Sequence, residues 1–126
     1  MLDSLIGMLK RLPLRVEISS HTDSRGTFEY NDLLSQQRAE SVVAYLVDHG
    51  IARDRVLAKG FGKRQLLNRC KDGVPCSESE HQINRRTEVK VIGYSHKEKK
   101  YKFDPSKYKK GEVIDKLALP KDFFEN

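Results

Sequence analysis

The chain has 126 residues, of which 37% are hydrophobic and 33% are charged, and its formal net charge is +6. This length fits one domain with a modest core, and no apolar run approaches the ~20 residues that a membrane-spanning helix needs. Positive charge favours anionic partners in general but identifies none of them. An amphipathic pattern starts at Met1, so the sequence predicts no signal peptide at this end.

The first predicted elements are a short helix and a strand. Apolar residues at helical spacing indicate the helix, and Pro13 ends it; they are Leu2, Leu5, Ile6, Leu9 and Leu12. Apolar and charged residues then alternate, which predicts a strand from Arg15 to Ser20 with one buried face. The polar segment from His21 to Gly26 predicts a turn, since Gly26 can adopt positive φ.

A long amphipathic helix follows this turn. Thr27 is suited to be its N-cap, and Gly50 its C-terminal stop. The predicted core stripe of the helix consists of Leu34, Ala39, Val42, Val43 and Leu46.

The second half of the chain predicts two more strands. One runs from Val56 to Lys59, and the other is the alternating segment that contains Thr87, Val89 and Val91. Between them, Gln65 to Asn84 is predicted to be a long irregular loop. The element order predicts an α/β (α+β) two-layer sandwich, with helices packed on one face of a small mixed sheet.

A candidate binding site lies around the predicted turn. Asp23 follows the first strand, and Asn31 and Arg38 are seven residues apart on the long helix. Seven residues are about two helical turns, so both side chains leave the same face roughly 10 Å apart along the axis. An acid and an arginine beside one cleft suit the ammonium and carboxylate of a zwitterion. The alternatives are a structural ion pair between Asp23 and Arg38, and a solvent-facing role for Asn31.

The remainder of the chain, residues 96–126, is lysine-rich and has little periodicity. We predict a domain over residues 1–95 and a basic tail or linker over 96–126. The run KEKKYK has no RNA-binding or zinc-finger motif beside it, so the sequence predicts a solvated charge run and no nucleic-acid partner.

Three motifs together resemble a known family. HTDSRGxxxYNxxLSxxRAxxVxxYLxxxGI, then GFG, then NRRTEVKV are similar to the OmpA-like peptidoglycan-binding domain. That domain occurs in outer-membrane proteins, Pal-type lipoproteins and flagellar motor stators. The resemblance covers roughly residues 2 to 93, with the motifs in the family's order.

The resemblance implies non-covalent binding of peptidoglycan through the diaminopimelate of its stem peptide. Asp23 and Arg38 match the family's aspartate and arginine that grip this residue. Thr22 and Asn31 would be neutral hydrogen-bonding neighbours, and Arg86 would support the site or the adjoining sheet. A guanidinium can take a carboxylate bidentately, which lysine cannot copy. No bond is broken, so the expectation is a binding module with no cofactor or metal.

The resemblance also implies a place and partners in the cell. It predicts anchoring of an outer-membrane protein to the cell wall, on the periplasmic face of a Gram-negative outer membrane, through parts of a larger protein. The alternatives are an envelope protein-interaction module and, less well supported, an enzyme on a related scaffold.

The two cysteines allow two interpretations. Cys70 and Cys76 with His81 form a partial metal set, but the spacing matches no common zinc pattern. A disulfide fits better, because Gly73 and Pro75 favour a turn between the cysteines and the periplasm is oxidising.

One departure from the family concerns its opening strand. The family domain begins with a strand and an FDFD-like segment, whereas this chain begins at the first helix. The site is therefore expected to be incomplete and one sheet position unpaired. We hypothesise that the segment KYKFDP, Lys100 to Pro105, or a strand from another molecule fills that position. The alternative is that KYKFDP is a linker.

Overall fold

In a computed structural model of the protein, which describes residues 2–94 and 109–117, three helices pack with a four-stranded mixed sheet. The strand order is β2-β1-β3-β4; β1 pairs parallel with β2, and β3 pairs antiparallel with both β1 and β4. This arrangement confirms the predicted α+β fold class. The elements are α1 (Leu2–Arg11), β1 (Leu14–His21), α2 (Phe28–Asp48), a 3-10 helix (Arg53–Arg55), β2 (Val56–Gly62), α3 (Glu78–Asn84), β3 (Arg86–Tyr94) and β4 (Val113–Leu117).

The hydrophobic core lies between the sheet and the helices α1 and α2. Leu14, Val16 and Ile18 alternate along β1 and are fully buried, as the period of two predicts. They join one cluster with the apolar stripes of both helices: Leu2, Leu5, Ile6 and Leu9 of α1, and Ala39, Val42, Val43 and Leu46 of α2. Among the described residues, no helix combines the length and apolar character needed to cross a bilayer.

The first turns of α2 depart from the predicted core stripe. Leu34 is only half-buried, whereas Asn31 and Ser35 are buried. The prediction of Leu34 as a core residue is therefore wrong. The helix turns its polar side inward here because Ser35 and Gln36 satisfy the backbone of β2: Ser35 accepts a bond of 2.8 Å from the Gly62 amide, and Gln36 accepts one of 2.7 Å from the Gly60 amide.

The glycines after the predicted second strand belong to that strand, and they explain its close approach to α2. A Cβ placed on Gly60 would lie 2.2 Å from the backbone nitrogen of Gln36, and Gly62 has a φ of +56°. No other residue fits at Gly60 without separating the strand from the helix.

Both predicted ends of α2 are confirmed. The Thr27 hydroxyl accepts a hydrogen bond of 3.1 Å from the Tyr30 amide, as an N-cap residue does. Gly50 lies just beyond the helix with a φ of +95°, a conformation that side chains rarely adopt.

The segment predicted to be an irregular loop, Gln65 to Asn84, contains the helix α3. Ser77 caps this helix by accepting from the Glu80 amide, and the Glu80 side chain accepts from the Ser77 amide. This capping box is visible in the sequence as Ser77-x-x-Glu80, and it was missed because only one apolar residue, Ile83, follows it in the helix.

The segment predicted to be a tail contributes a strand. β4 pairs with β3 from Thr87 opposite Leu117 to Lys90 opposite Val113. The turn before it includes Gly111 with a φ of +87°, and Leu117 reaches the core. The tail was predicted without a strand, and that prediction is wrong. The strand was missed because VIDKL is short and its weak alternation does not stand out from the charged residues around it. The position beside β3 is paired, while the hypothesis about Lys100 to Pro105 falls outside the described residues.

Candidate ligand-binding site

The candidate site is built around the loop between β1 and α2. The loop is tied to the end of β2 because the Thr22 amide donates to the Gly62 carbonyl at 2.8 Å. The Thr22 hydroxyl donates to the Asp23 carbonyl at 3.0 Å. Both residues are buried, so the loop presents Asp23 in a fixed orientation next to the first turn of α2.

The Asp23 carboxylate is held by two arginines. Arg85 Nη1 donates to Asp23 Oδ2 at 2.7 Å, and Arg25 Nη2 donates to the same oxygen at 2.8 Å. Asp23 Oδ1 accepts from the Arg25 amide at 2.9 Å and from Arg25 Nε at 3.3 Å. Burial alone would raise the pKa of Asp23, but these hydrogen bonds outweigh it and hold the pKa well below its ordinary value. Asp23 is therefore ionised at neutral pH.

Glu78 completes a cluster of four charged groups. Its carboxylate accepts from Arg85 Nη2 and from Arg25 Nη1, the latter at 3.1 Å, and these hydrogen bonds lower the pKa of Glu78. Two carboxylates and two guanidiniums thus neutralise one another. We call these residues, Asp23, Arg25, Glu78 and Arg85, the acid–arginine cluster.

Asn31 and Arg38 lie on α2 beside this loop. Asn31 is buried, and its side-chain amide donates to the Arg25 carbonyl at 2.9 Å. The alternative of a solvent-facing Asn31 is therefore wrong: the residue fixes the loop that carries Asp23. Arg38 is half-buried two turns further along the helix. A joint grip on a ligand by Asp23 and Arg38 stays a prediction.

Arg86 points to different partners from Arg85. Its guanidinium pairs with Glu88 at 3.1 Å and donates to the carbonyls of Asn84 and Gln65 at 3.2 and 3.0 Å. These contacts support the adjoining sheet, one of the two roles predicted for Arg86. A direct ligand contact by Arg86 stays a prediction.

Three residues of the acid–arginine cluster, Arg25, Glu78 and Arg85, were not among the site residues predicted from the sequence. Arg85 lies beside the predicted Arg86, and strand alternation could have separated the two. Side chains alternate between the two faces of a strand, so Arg85 is expected on the same face as Thr87, the helix side of the sheet. Arg86 is expected with Glu88 on the opposite face. Glu78 gave no local signal, since only folding brings it to the loop.

The cysteine loop supports the other side of the site. Cys70 and Cys76 form the predicted disulfide, with a Cα–Cα distance of 6.0 Å, so neither sulfur is a free thiolate ligand. Cys76 stands two residues before Glu78, the first residue of α3. The disulfide thus restrains the helix that has Glu78 at its start and Arg85 just after its end.

A buried lysine links the two loops. The Lys63 ammonium donates to the Gly26 carbonyl at 2.7 Å and to the Ser24 carbonyl at 3.2 Å, and it pairs with Asp72 at 2.8 Å. It also lies 4.4 Å from the centre of the Phe28 ring. The buried ammonium of Lys63 therefore connects the loop between β1 and α2 to the loop closed by the disulfide, which contains Asp72.

The sequence predicted that His21 begins the turn, but in the structure it is the last residue of β1. Its buried ring stacks on Phe61 at 5.1 Å, and Nε2 lies 3.5 Å from the Glu88 carboxylate. Burial, and secondarily the charge of Arg86, lowers the pKa of His21 to about 4. The ring is therefore neutral at neutral pH and belongs to the packing of the sheet.

The model of the OmpA family matches residues 1–79, more than half of the chain, so the chain belongs to the OmpA family. This confirms the resemblance found in the sequence.

Individual relatives agree with this assignment. The chain is 38% identical over 76 residues to outer membrane porin F of Pseudomonas fluorescens, covering 60% of this chain and 22% of the relative. It is 38% identical over 74 residues to the peptidoglycan-associated lipoprotein of Legionella pneumophila, covering 59% and 39%. It is 35% identical over 96 residues to outer membrane protein A of Bordetella avium, covering 74% and 46%. The chain thus spans less than half the length of these relatives.

Proposed function

We propose that this domain binds peptidoglycan non-covalently through the diaminopimelate residue of the stem peptide. In this role it anchors a larger protein of the Gram-negative outer membrane to the cell wall from the periplasmic side. The observation that carries the proposal is the ionised Asp23, held in a buried loop beside the helix that bears Arg38. Family membership and the name of the peptidoglycan-associated relative support it.

The chemistry of the ligand matches these residues. The free end of diaminopimelate carries an ammonium and a carboxylate. Asp23 suits the ammonium, and the planar guanidinium of Arg38 can take the carboxylate through two parallel hydrogen bonds. Thr22 and Asn31 keep the loop in place through their bonds to the Asp23 and Arg25 carbonyls. Binding of this kind breaks no covalent bond, so the proposal needs no nucleophile, cofactor or metal.

The test is co-sedimentation with purified peptidoglycan sacculi, with and without free diaminopimelate as competitor. Asp23→Ala and Arg38→Ala should each cost about 2–5 kcal/mol of binding, or at least roughly 30-fold in affinity, because each leaves a charge without its partner. Arg38→Lys should also bind poorly, since lysine lacks the fork. Arg53→Lys, at an exposed arginine of the 3-10 helix, is the matched control and should bind like the parent.

The outcomes separate the proposal from its alternatives. If Asp23→Ala and Arg38→Ala co-sediment as well as the parent, the assigned site is wrong. If the folded parent does not co-sediment but captures an envelope protein, the domain is an interaction module. Release of soluble muropeptides during incubation would indicate an enzyme.

A further inference from the structure

The Asp23 carboxylate has no acceptor position left for a ligand. An ionised carboxylate offers about four lone-pair sites. Four donors already use them: the Arg25 amide, Arg25 Nε, Arg25 Nη2 and Arg85 Nη1. A ligand ammonium can therefore reach Asp23 only if one of these donors leaves.

The Arg25 side chain is the donor best able to leave. Its side chain is 53% exposed, against 28% for Arg85, so it moves into water with less rearrangement. The contact of Arg25 Nε is the longest of the four, at 3.3 Å. The backbone amide of Arg25 cannot move in the same way, because hydrogen bonds hold the backbone on its C-terminal side. Asn31 donates to the Arg25 carbonyl, and Lys63 donates to the Gly26 carbonyl.

Glu78 offers the departing guanidinium a second carboxylate. Arg25 Nη1 already lies 3.1 Å from Glu78 Oε2, whose side chain is 65% exposed at the start of α3. A small rotation can thus exchange the Asp23 contacts of Arg25 for Glu78 contacts without leaving the guanidinium unpaired. The pair Arg25–Glu78 also spans the site from the loop to α3.

We propose that Arg25 is the residue that sets the affinity and charge selectivity of this site. Its guanidinium occupies the place on Asp23 that a cationic ligand group takes, and it shifts to Glu78 when that group binds. This role rests on the proposed function: within the site, the Arg25 guanidinium competes with the ligand ammonium for the Asp23 carboxylate. Without Arg25 the acid–arginine cluster changes from a balance of two positive and two negative charges to one with a net negative charge, which favours a cation.

The experiment measures the affinity of the folded protein for a soluble stem peptide ending in diaminopimelate. Arg25→Ala should bind this peptide roughly fivefold more tightly than the parent, because the exposed ion pair that competes with the ligand is lost. The matched control is Arg64→Ala, because Arg64 is 55% exposed and pairs with a different carboxylate, Asp32, at 2.7 Å. This control should bind like the parent.

A second measurement needs no ligand. In Arg25→Ala the pKa of the Asp23 carboxyl, followed by NMR, should rise toward its ordinary value because two side-chain donors are lost. The control Arg64→Ala should leave the Asp23 titration unchanged. This readout depends only on whether Arg25 occupies Asp23.

The two measurements distinguish the possible failures. Weaker peptide binding by Arg25→Ala would show that Arg25 contacts the ligand directly and would overturn the inference. An unmoved Asp23 titration would overturn it as well. If neither the parent nor Arg25→Ala binds the stem peptide, the proposed function is wrong, and so is the proposed role of Arg25 in selectivity. The titration of Asp23 would still decide whether the Arg25 side chain occupies its carboxylate.

Discussion

The carboxylate of Asp23 and the guanidinium of Arg85 lie 2.7 Å apart, although 62 positions separate the two residues in the chain. One follows the first strand and the other precedes the third. Because β1 and β3 pair antiparallel, the end of β1 meets the start of β3, with His21 opposite Arg86. The contact therefore closes the site at the point where the two strands meet.

Arg85→Ala should destabilise the domain. The substitution removes one of the two arginines that donate to both Asp23 and Glu78, and loss of a hydrogen bond to a charged group costs about 1–3 kcal/mol. Arg85→Lys should restore only part of the loss, because one ammonium cannot copy the fork. Urea unfolding measures the loss of stability. Arg64→Ala is the control, and equal losses in Arg64→Ala and Arg85→Ala would refute a special role for Arg85.

Acidification should destabilise the fold through His21. The pKa of His21 is about 4 in the folded protein, against 6.5 for an exposed imidazole in the unfolded chain, so between these two values the unfolded chain binds more protons. Stability should then fall as the pH drops from about 6.5 to about 4, by about 3 kcal/mol in all. Urea unfolding across this range measures the slope.

His21→Gln should flatten this dependence, while His49→Gln at the exposed end of α2 should keep it. A parent whose stability does not change between pH 6.5 and 4 would contradict the buried neutral ring. Stacking of His21 on Phe61 is the contact that holds the ring away from water.

Removal of the disulfide should loosen α3 without unfolding the domain. The loop from Cys70 to Cys76 is short, so the chain-entropy model gives a loss of only about 2 kcal/mol. Cys70→Ala with Cys76→Ala should speed amide exchange in α3 and weaken binding to sacculi, since Glu78 and Arg85 flank that helix. A reducing agent should add nothing in this double variant. Unchanged α3 exchange would show that the disulfide does not position the site.

Deletion of residues 109–126 should destabilise the sheet. It removes β4, leaves β3 as an unpaired edge and uncovers the core contact of Leu117, whose burial contributes about 1.5–3 kcal/mol. The truncated protein should melt earlier and associate at high concentration, as followed by calorimetry and light scattering. Deletion of residues 118–126 leaves β4 in place and is the control. Equal behaviour of the two truncations would mean that β4 contributes no stability.

Local sequence patterns were sufficient for most of the fold. Each correctly predicted element has its cause within its own residues: the helical spacing of Leu5 and Leu9, the hydroxyl of Thr27, and the alternation of Val89 and Val91. The missed helix α3 and strand β4 are only seven and five residues long. Their apolar patterns are too short to be distinguished, and pairing or packing with distant residues stabilises them.

The sequence by itself determined the α+β class, the family, the disulfide partners and the presence of a turn that carries Asp23. Only the tertiary structure decided which arginines hold that carboxylate, that Asn31 is buried, and that Glu78 shares Arg25 and Arg85 with Asp23. The reason is physical. Secondary structure follows from periodicity and capping over a few neighbouring residues, whereas an ion-pair cluster depends on strand register and helix packing, which bring together side chains that are remote in the chain.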